Sequence, residues 1–71
     1  MNMKQLRQRA GIRAEEVAYK LDIALSTIRN WEQGRTVPKL RIDQFEALLD
    51  LYGCSFEELT AAVKETNQAV A

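Results

Sequence analysis

The 71-residue chain contains no histidine and a single cysteine, Cys54. One thiol cannot form an internal disulfide, and zinc sites built from cysteine and histidine need several such ligands at defined spacings. Histidine is also the side chain used most often as a general base near neutral pH, and the serine and threonine residues fall in no recognisable catalytic arrangement. The composition therefore predicts no enzymatic activity, metal or other cofactor, and it favours a reducing, cytoplasmic environment.

Long apolar runs are missing as well. No stretch approaches the ~20 apolar residues of a membrane-spanning helix, and residues 1–11 lack the apolar segment of a signal peptide. Yet 46% of the residues are apolar, which is too many for a disordered segment. A chain of this length is expected to form one domain with a thin core, worth about 3–5 kcal/mol of net stability.

The apolar spacing is helical along nearly the whole chain, and glycine and proline mark the breaks between helices. It predicts an all-α fold with five helices at about residues 3–10, 14–21, 25–33, 42–52 and 56–66, followed by a frayed tail at 67–71. Ser55 and Glu58 have the spacing of a capping box at the start of the fifth helix. The residues predicted to form the core are Val17, Leu21, Trp31, Phe45, Leu48, Leu49, Phe56 and Leu59.

The charge is unevenly distributed, although the net charge of the chain is zero. Residues 1–41 carry a net charge of +5, and residues 42–71 carry −5. A phosphate backbone interacts with a local patch of charge rather than with the average over the chain. The first half could therefore bind nucleic acid, although two solvated faces of opposite sign would give the same pattern.

The second and third predicted helices are separated by only three residues, which requires a sharp turn and exposes one of the two helices. The chain reads LRQRAGI at 6–12, EVAYKL at 16–21, STIRNWEQGR at 26–35 and VP at 37–38. These residues resemble the helix-turn-helix domain of the phage-repressor and Cro type, an XRE-like family, over about residues 6–59. The resemblance implies a five-helix, repressor-like domain at 1–66 that binds double-stranded DNA, with 25–33 as the recognition helix in the major groove.

The resemblance also implies a role for individual residues. Arg7 and Glu32 are expected to form a buried ion pair that fixes the angle of the recognition helix, the alternative being a weak surface pair. Residues at base-reading positions are Leu25, Ser26, Arg29 and Asn30. Residues expected to contact phosphates are Arg13, Thr27, Gln33, Arg35, Thr36 and Lys39. For the polar residues of both groups the alternative is a solvated side chain. For Arg29 a phosphate contact is a further alternative.

The chain departs from the family pattern at several positions. Arg13 and Ala14 stand where the second helix often begins with a threonine cap and a phosphate-binding glutamine. Ala24 replaces a serine or threonine cap on the third helix, at a cost of about 1 kcal/mol. Leu25 occupies a position that is commonly polar, and an exposed leucine there could contact a thymine methyl or a protein. The segment 38–53 is about two residues longer than usual.

The resemblance implies a transcriptional regulator, most simply a homodimer on a palindromic site with half-sites ~34–36 Å apart. A protein-interaction module centred on Leu25 and an antitoxin on the same fold are the alternatives, because a fold does not determine a function. A protein partner is possible in each case. Neither a membrane nor a small-molecule ligand is expected.

Overall fold

A computed structural model describes the backbone of residues 1–70 and the side chains of residues 1–67. The described residues form five helices and no strand, which confirms the predicted all-α fold. The helices are α1 (Met3–Ala10), α2 (Ala14–Leu21), α3 (Leu25–Glu32), α4 (Ile42–Tyr52) and α5 (Phe56–Val70).

The helix ends follow local chemistry. Gly11 and Gly53 end α1 and α4 with φ values of 73° and 60°, a left-handed conformation that favours glycine because it has no Cβ. At the start of α5 the Ser55 hydroxyl accepts a hydrogen bond from the Glu58 N–H at 3.1 Å, and the Glu58 carboxylate accepts one from the Ser55 N–H at 3.2 Å. The predicted capping box is therefore confirmed, and the Ser55 hydrogen bond, with help from Arg9, lowers the pKa of Glu58.

Three hydrogen bonds hold the start of α1 in place. Asn2 and Gln5 form a second capping box, with both hydrogen bonds at 2.9 Å. The next amide, that of Met3, donates to the hydroxyl of Thr66 on α5 at 3.0 Å. Thr66 in turn donates to the Ala62 carbonyl at 2.8 Å, so this buried hydroxyl both accepts and donates a hydrogen bond. The contact fixes α5 across the beginning of α1.

All five helices contribute to a single core. The second helix packs against α3 and α4, and α5 packs against α1. Trp31 is only 3% exposed, which confirms its predicted place in the core. The most deeply buried side chains are Met3, Leu6, Val17, Ile28, Leu48, Tyr52, Leu59 and Ala62.

Phe56 is a correction to the predicted core, because 56% of its surface is exposed. The buried stripe of α5 runs through Leu59, Ala62 and Thr66, and at 3.6 residues per turn Phe56 lies about a quarter of a turn away from its centre. Phe56 instead packs edge-on against Phe45, with ring centroids 6.4 Å apart. Phe45 and Leu49, also predicted to be core, are only partly buried and border the core.

The last helix is longer than predicted. It continues past residue 66 to Val70, since no glycine or proline follows Phe56. Of the predicted tail, residues 67–70 lie in this helix and Ala71 lies outside the described residues. Among the described helices, none has the length and apolar character needed to cross a membrane.

Candidate nucleic-acid interface

The turn between α2 and α3 is tight and internally hydrogen-bonded. Asp22 adopts φ 56°, and its N–H and that of Ile23 donate to the carbonyls of Tyr19 and Ala18 at 3.3 and 3.0 Å. These bonds give hydrogen-bond donors to two of the last carbonyl groups of α2, and the chain turns directly into α3. The result is a helix-turn-helix unit in which the direction of α3 is set by only three connecting residues.

The third helix is held by one face and exposed on the other. Ile28 and Trp31 are buried in the core. Ser26, Arg29 and Gln33 are exposed, and they lie on the side of α3 away from the core. A helix anchored in this way has a fixed orientation and a free surface, as a reader of the major groove requires.

The structure brings Arg7 of α1 and Glu32 of α3 together. The Arg7 Nε and Nη2 atoms donate to the two carboxylate oxygens of Glu32 at 2.6 and 3.1 Å, and Arg7 Nη1 donates to the Ile12 carbonyl at 3.0 Å. Only 14% and 9% of the two side chains are exposed. The pair is therefore largely buried, and the hydrogen bond to Glu32 raises the pKa of Arg7.

Tyr52 lies close enough to this ion pair to interact electrostatically with both partners. Its ring is buried, and its hydroxyl has no hydrogen-bond partner among the described residues. Burial, reinforced by the negative charge of Glu32, raises the pKa of Tyr52 well above its ordinary value. The phenol is thus neutral at any physiological pH and adds no charge to the interface.

A cleft of about 510 Å³ lies on one side of α3, between that helix, α1 and the start of α2. We call it the α2-side cleft. It is lined by Lys4, Arg7, Arg13, Ala14, Glu15, Arg29, Glu32 and Gln33. Because Arg7 is paired with Glu32, the remaining charges are three cations against Glu15, so the cleft is net positive.

A second cleft of about 530 Å³ lies on the opposite side of α3, beside the loop that follows it. We call it the loop-side cleft. Its lining residues are Ile23, Thr27, Trp31, Arg35, Thr36, Val37, Lys39, Leu40 and Gln44. Arg35 and Lys39 make it positive without a carboxylate among its lining residues.

The predicted phosphate contacts divide between the two clefts. Arg13 and Gln33 line the α2-side cleft, whereas Thr27, Arg35, Thr36 and Lys39 line the loop-side cleft. A helix in the major groove, which is ~12 Å wide, has a phosphate strand on each side. The structure thus brings the residues predicted to contact phosphates to two positive clefts, one on each side of α3.

The four positions predicted to read bases differ in exposure. Ser26 and Arg29 are exposed, and Asn30 is partly buried. Leu25 is partly buried and packs against the core, so it is less accessible than the exposed leucine expected from the sequence. Ala24, at the cap position, makes no side-chain hydrogen bond to α3.

The loop after α3 is tied back to the helix. The N–H groups of Arg35 and Thr36 donate to the Asn30 carbonyl at 2.9 and 3.5 Å, and Pro38 is buried. Gln44 donates to the Leu21 carbonyl at 3.2 Å, which links α4 to the end of α2. These contacts hold the backbone of the loop that carries Arg35 and Lys39.

Two features of this region were not predicted. Lys4 lines the α2-side cleft, and its spacing of three residues from Arg7 shows only that the two side chains share a face of α1, not that this face borders the cleft. An apolar groove of about 360 Å³, lined mainly by Val37, Pro38, Phe45, Phe56 and Val63, lies between the loop, α4 and α5. It arises from the exposure of Phe56, which helical periodicity alone did not reveal.

No curated protein and no solved structure is significantly similar to this chain. The family model described as helix-turn-helix domain matches residues 2–63, a range that includes α1 to α4, the two clefts and the first half of α5. This chain therefore belongs to the helix-turn-helix domain family, of the XRE and Cro kind.

Proposed function

We propose that this protein is a cytoplasmic transcriptional regulator that binds a specific DNA sequence with α3 in the major groove. The observation that carries the proposal is the pair of positive clefts on the two sides of one exposed, rigidly held helix. Phosphate contacts in both clefts would fix the position and register of α3 on the duplex. Side chains on the free face of α3 would then read the bases.

Arg29 and Asn30 are the proposed base-reading residues. The guanidinium of Arg29 is exposed on α3 and can donate two hydrogen bonds to guanine O6 and N7. Asn30 can pair with adenine N6 and N7, and each such bidentate contact is worth about 1–3 kcal/mol of discrimination. Ser26 is a weaker candidate, and Leu25 can offer only the exposed part of its side chain to a thymine methyl.

We further propose that two copies associate on the DNA through the apolar groove. Val37 lines both this groove and the loop-side cleft, so a second copy seated on the groove would lie beside the DNA surface. A groove of about 360 Å³ accommodates only a few side chains, whereas a stable complex buries ~800 Å² on each partner, contributed by roughly 20–30 residues. Association would thus be weak in solution and would be completed by adjacent half-sites.

The alternative function, a protein-interaction module centred on Leu25, has less support. Leu25 packs against the core, which leaves little of it to anchor a partner. The apolar groove is a better protein contact, and it is compatible with DNA binding because it lies outside both clefts except at Val37.

The test is selection of duplex DNA from a random pool by the purified protein at about 0.15 M salt, where weak non-specific binding is suppressed. We expect enrichment of a two-fold symmetric sequence. Arg29→Ala should weaken binding to that sequence by about tenfold or more and relax the preference at one base pair. Arg9→Ala is the matched control, because Arg9 pairs with Glu58 and lines neither cleft.

Other outcomes would change the proposal in defined ways. A single short motif without symmetry would overturn the dimer and leave the base-reading assignment. Absence of enrichment, together with absence of binding at about 0.05 M salt, would overturn DNA binding itself. Equal losses for Arg29→Ala and Arg9→Ala would remove Arg29 from the base-reading surface.

A further inference from the structure

We propose that Lys4, on the first turn of α1, is an additional phosphate-binding residue. The inference rests on the proposed DNA-binding function and extends the contact surface from the helix-turn-helix unit to α1. Lys4 lines the α2-side cleft together with Arg13 and Arg29. Three cations thus reach the same cleft from three separate parts of the chain: α1, the residue before α2, and α3.

The surroundings of Lys4 do not explain it as a stabilising residue. It is exposed, and it belongs to none of the ion pairs among the described residues. It also stands in the first turn of α1, where the positive end of the helix dipole disfavours a cation. The Lys4 charge therefore has no ion-pair partner among the described residues, and it is available to an anion in the cleft.

The wall of the cleft next to Lys4 supports the same conclusion. Ala14, at the first position of α2, is 8% exposed and has no polar side chain to offer a phosphate. The N–H groups of Ala14 and Glu15 have no backbone partner in the first turn of α2 and face the end of the helix from which an anion would approach. The ammonium of Lys4 would attract a phosphate over a longer distance than the neutral Ala14 can. Its positive charge would also offset the repulsion between that phosphate and the Glu15 carboxylate.

The experiment measures binding of wild type and Lys4→Ala to the selected duplex and to a scrambled duplex between about 0.05 and 0.3 M salt. Loss of one phosphate contact lowers the salt slope of the binding constant by about 0.9. By the same relation, Lys4→Ala should bind DNA about fivefold more weakly than wild type at 0.15 M salt and about fifteenfold more weakly at 0.05 M. The loss should be equal on both duplexes, because phosphate contacts carry no sequence information.

Two further variants separate a phosphate contact from a general effect. Lys20→Ala removes the same charge from α2 at a residue outside both clefts and should leave the slope unchanged. Lys4→Arg keeps the positive charge and should bind DNA as wild type does. Lys4→Ala should have the unfolding midpoint of wild type, because loss of a structural residue would lower that midpoint.

The outcomes distinguish this inference from the proposed function. If wild type binds DNA and Lys4→Ala retains the wild-type slope and affinity, the Lys4 contact is wrong and DNA binding stands. If Lys4→Ala loses affinity on the selected duplex only, Lys4 reads bases and the phosphate assignment is wrong. If wild type binds neither duplex at low salt, the proposed function itself fails.

Discussion

Arg7 and Glu32 are joined by two parallel hydrogen bonds of 2.6 and 3.1 Å although 25 residues separate them in the sequence. The pair connects α1 to the last residue of the exposed helix α3. Because only 14% and 9% of the two side chains are exposed, water screens the interaction weakly. Among the described residues this is the ion pair that joins α3 to another helix, and we expect it to help fix the angle at which α3 is presented.

Removal of one partner should destabilise the domain strongly. Arg7→Ala or Glu32→Ala leaves a buried charge without its counterion, which costs about 3–5 kcal/mol. The net free energy of unfolding of a domain of this size is only about 3–5 kcal/mol. We therefore expect either variant to be largely unfolded even before urea is added, as followed by circular dichroism in a urea titration. Arg9→Ala, which breaks the solvent-exposed pair with Glu58, should change the urea midpoint little, because water screens such a pair. Similar losses for Arg7→Ala and Arg9→Ala would contradict the buried character of the first pair.

Thr66 should be the most sensitive polar residue of α5. In Thr66→Val the shape is kept, but the Met3 N–H loses its acceptor, and an unsatisfied buried donor costs about 1–3 kcal/mol. Thr60→Val is a suitable control, because the Thr60 hydroxyl donates only to the Glu57 carbonyl of its own helix. The two variants are compared by their urea midpoints. Equal midpoints would mean that water replaces Thr66 at the start of α1.

Much of this fold could be predicted from the sequence because its helices are separated by strong local signals. The bounds of α2 and α4 agree with the predicted 14–21 and 42–52. The signals around α4 are Pro38, which restricts the backbone before the helix, and Gly53, whose conformational freedom permits the left-handed end of the helix. Side-chain contacts between distant segments have no such signal. The bond from the Met3 amide to Thr66 joins residues 63 positions apart, and a threonine in a helix gives no indication that it is an acceptor for another helix.

The candidate site could be predicted in part, and mostly through the family resemblance. The resemblance placed Arg13, Arg29 and Gln33 on a common surface, and the structure brings them to one cleft. Composition and periodicity could not show that Lys4 joins them, because that depends on how α1 packs against α2 and α3. The exposure of Phe56 was missed for a related reason, since periodicity fixes the spacing of a helical face but not the direction in which the face points.

Ala24 offers a way to separate stability from DNA binding. It occupies the cap position of α3 with extended φ and ψ of −69° and 143°, and no side chain caps the helix. Both Ala24→Ser and Ala24→Asp should accept a hydrogen bond from the first turn and stabilise the domain by about 0.5–2 kcal/mol. Only Ala24→Asp adds a negative charge beside the proposed DNA surface, so it alone should weaken DNA binding. Thermal unfolding and a DNA-binding titration of both variants test this, and equal affinities would place the start of α3 away from the phosphates.

Glu15 should oppose DNA binding, since it is the unpaired carboxylate of the α2-side cleft. Glu15→Gln removes a repulsive charge near the expected phosphate strand, and we expect several-fold tighter binding at low salt with no change in sequence preference. The same change should cost about 0.3–1 kcal/mol of stability, because a carboxylate in the first turn of α2 interacts favourably with the helix dipole. Glu16→Gln is the control, as Glu16 lies in the same turn but outside the cleft. Weaker binding by Glu15→Gln would mean that this carboxylate contacts a base instead.

Cys54 should be a poor redox switch. The thiol is half-buried against the core, and burial, with the negative charge of Glu58, raises its pKa above the ordinary value of 9.0. A raised pKa means that the folded chain holds the thiol proton more tightly than the unfolded chain, so the contribution to stability is full below about pH 9 and declines as the pH rises through the raised pKa. We therefore expect alkylation by iodoacetamide at pH 8 to be slower in the folded protein than in urea-unfolded protein, and mild oxidation to leave DNA binding equal to that of Cys54→Ser. Fast alkylation of the folded protein, or a loss of binding on oxidation that Cys54→Ser lacks, would instead identify Cys54 as a reactive thiolate, which is the form that redox sensing requires.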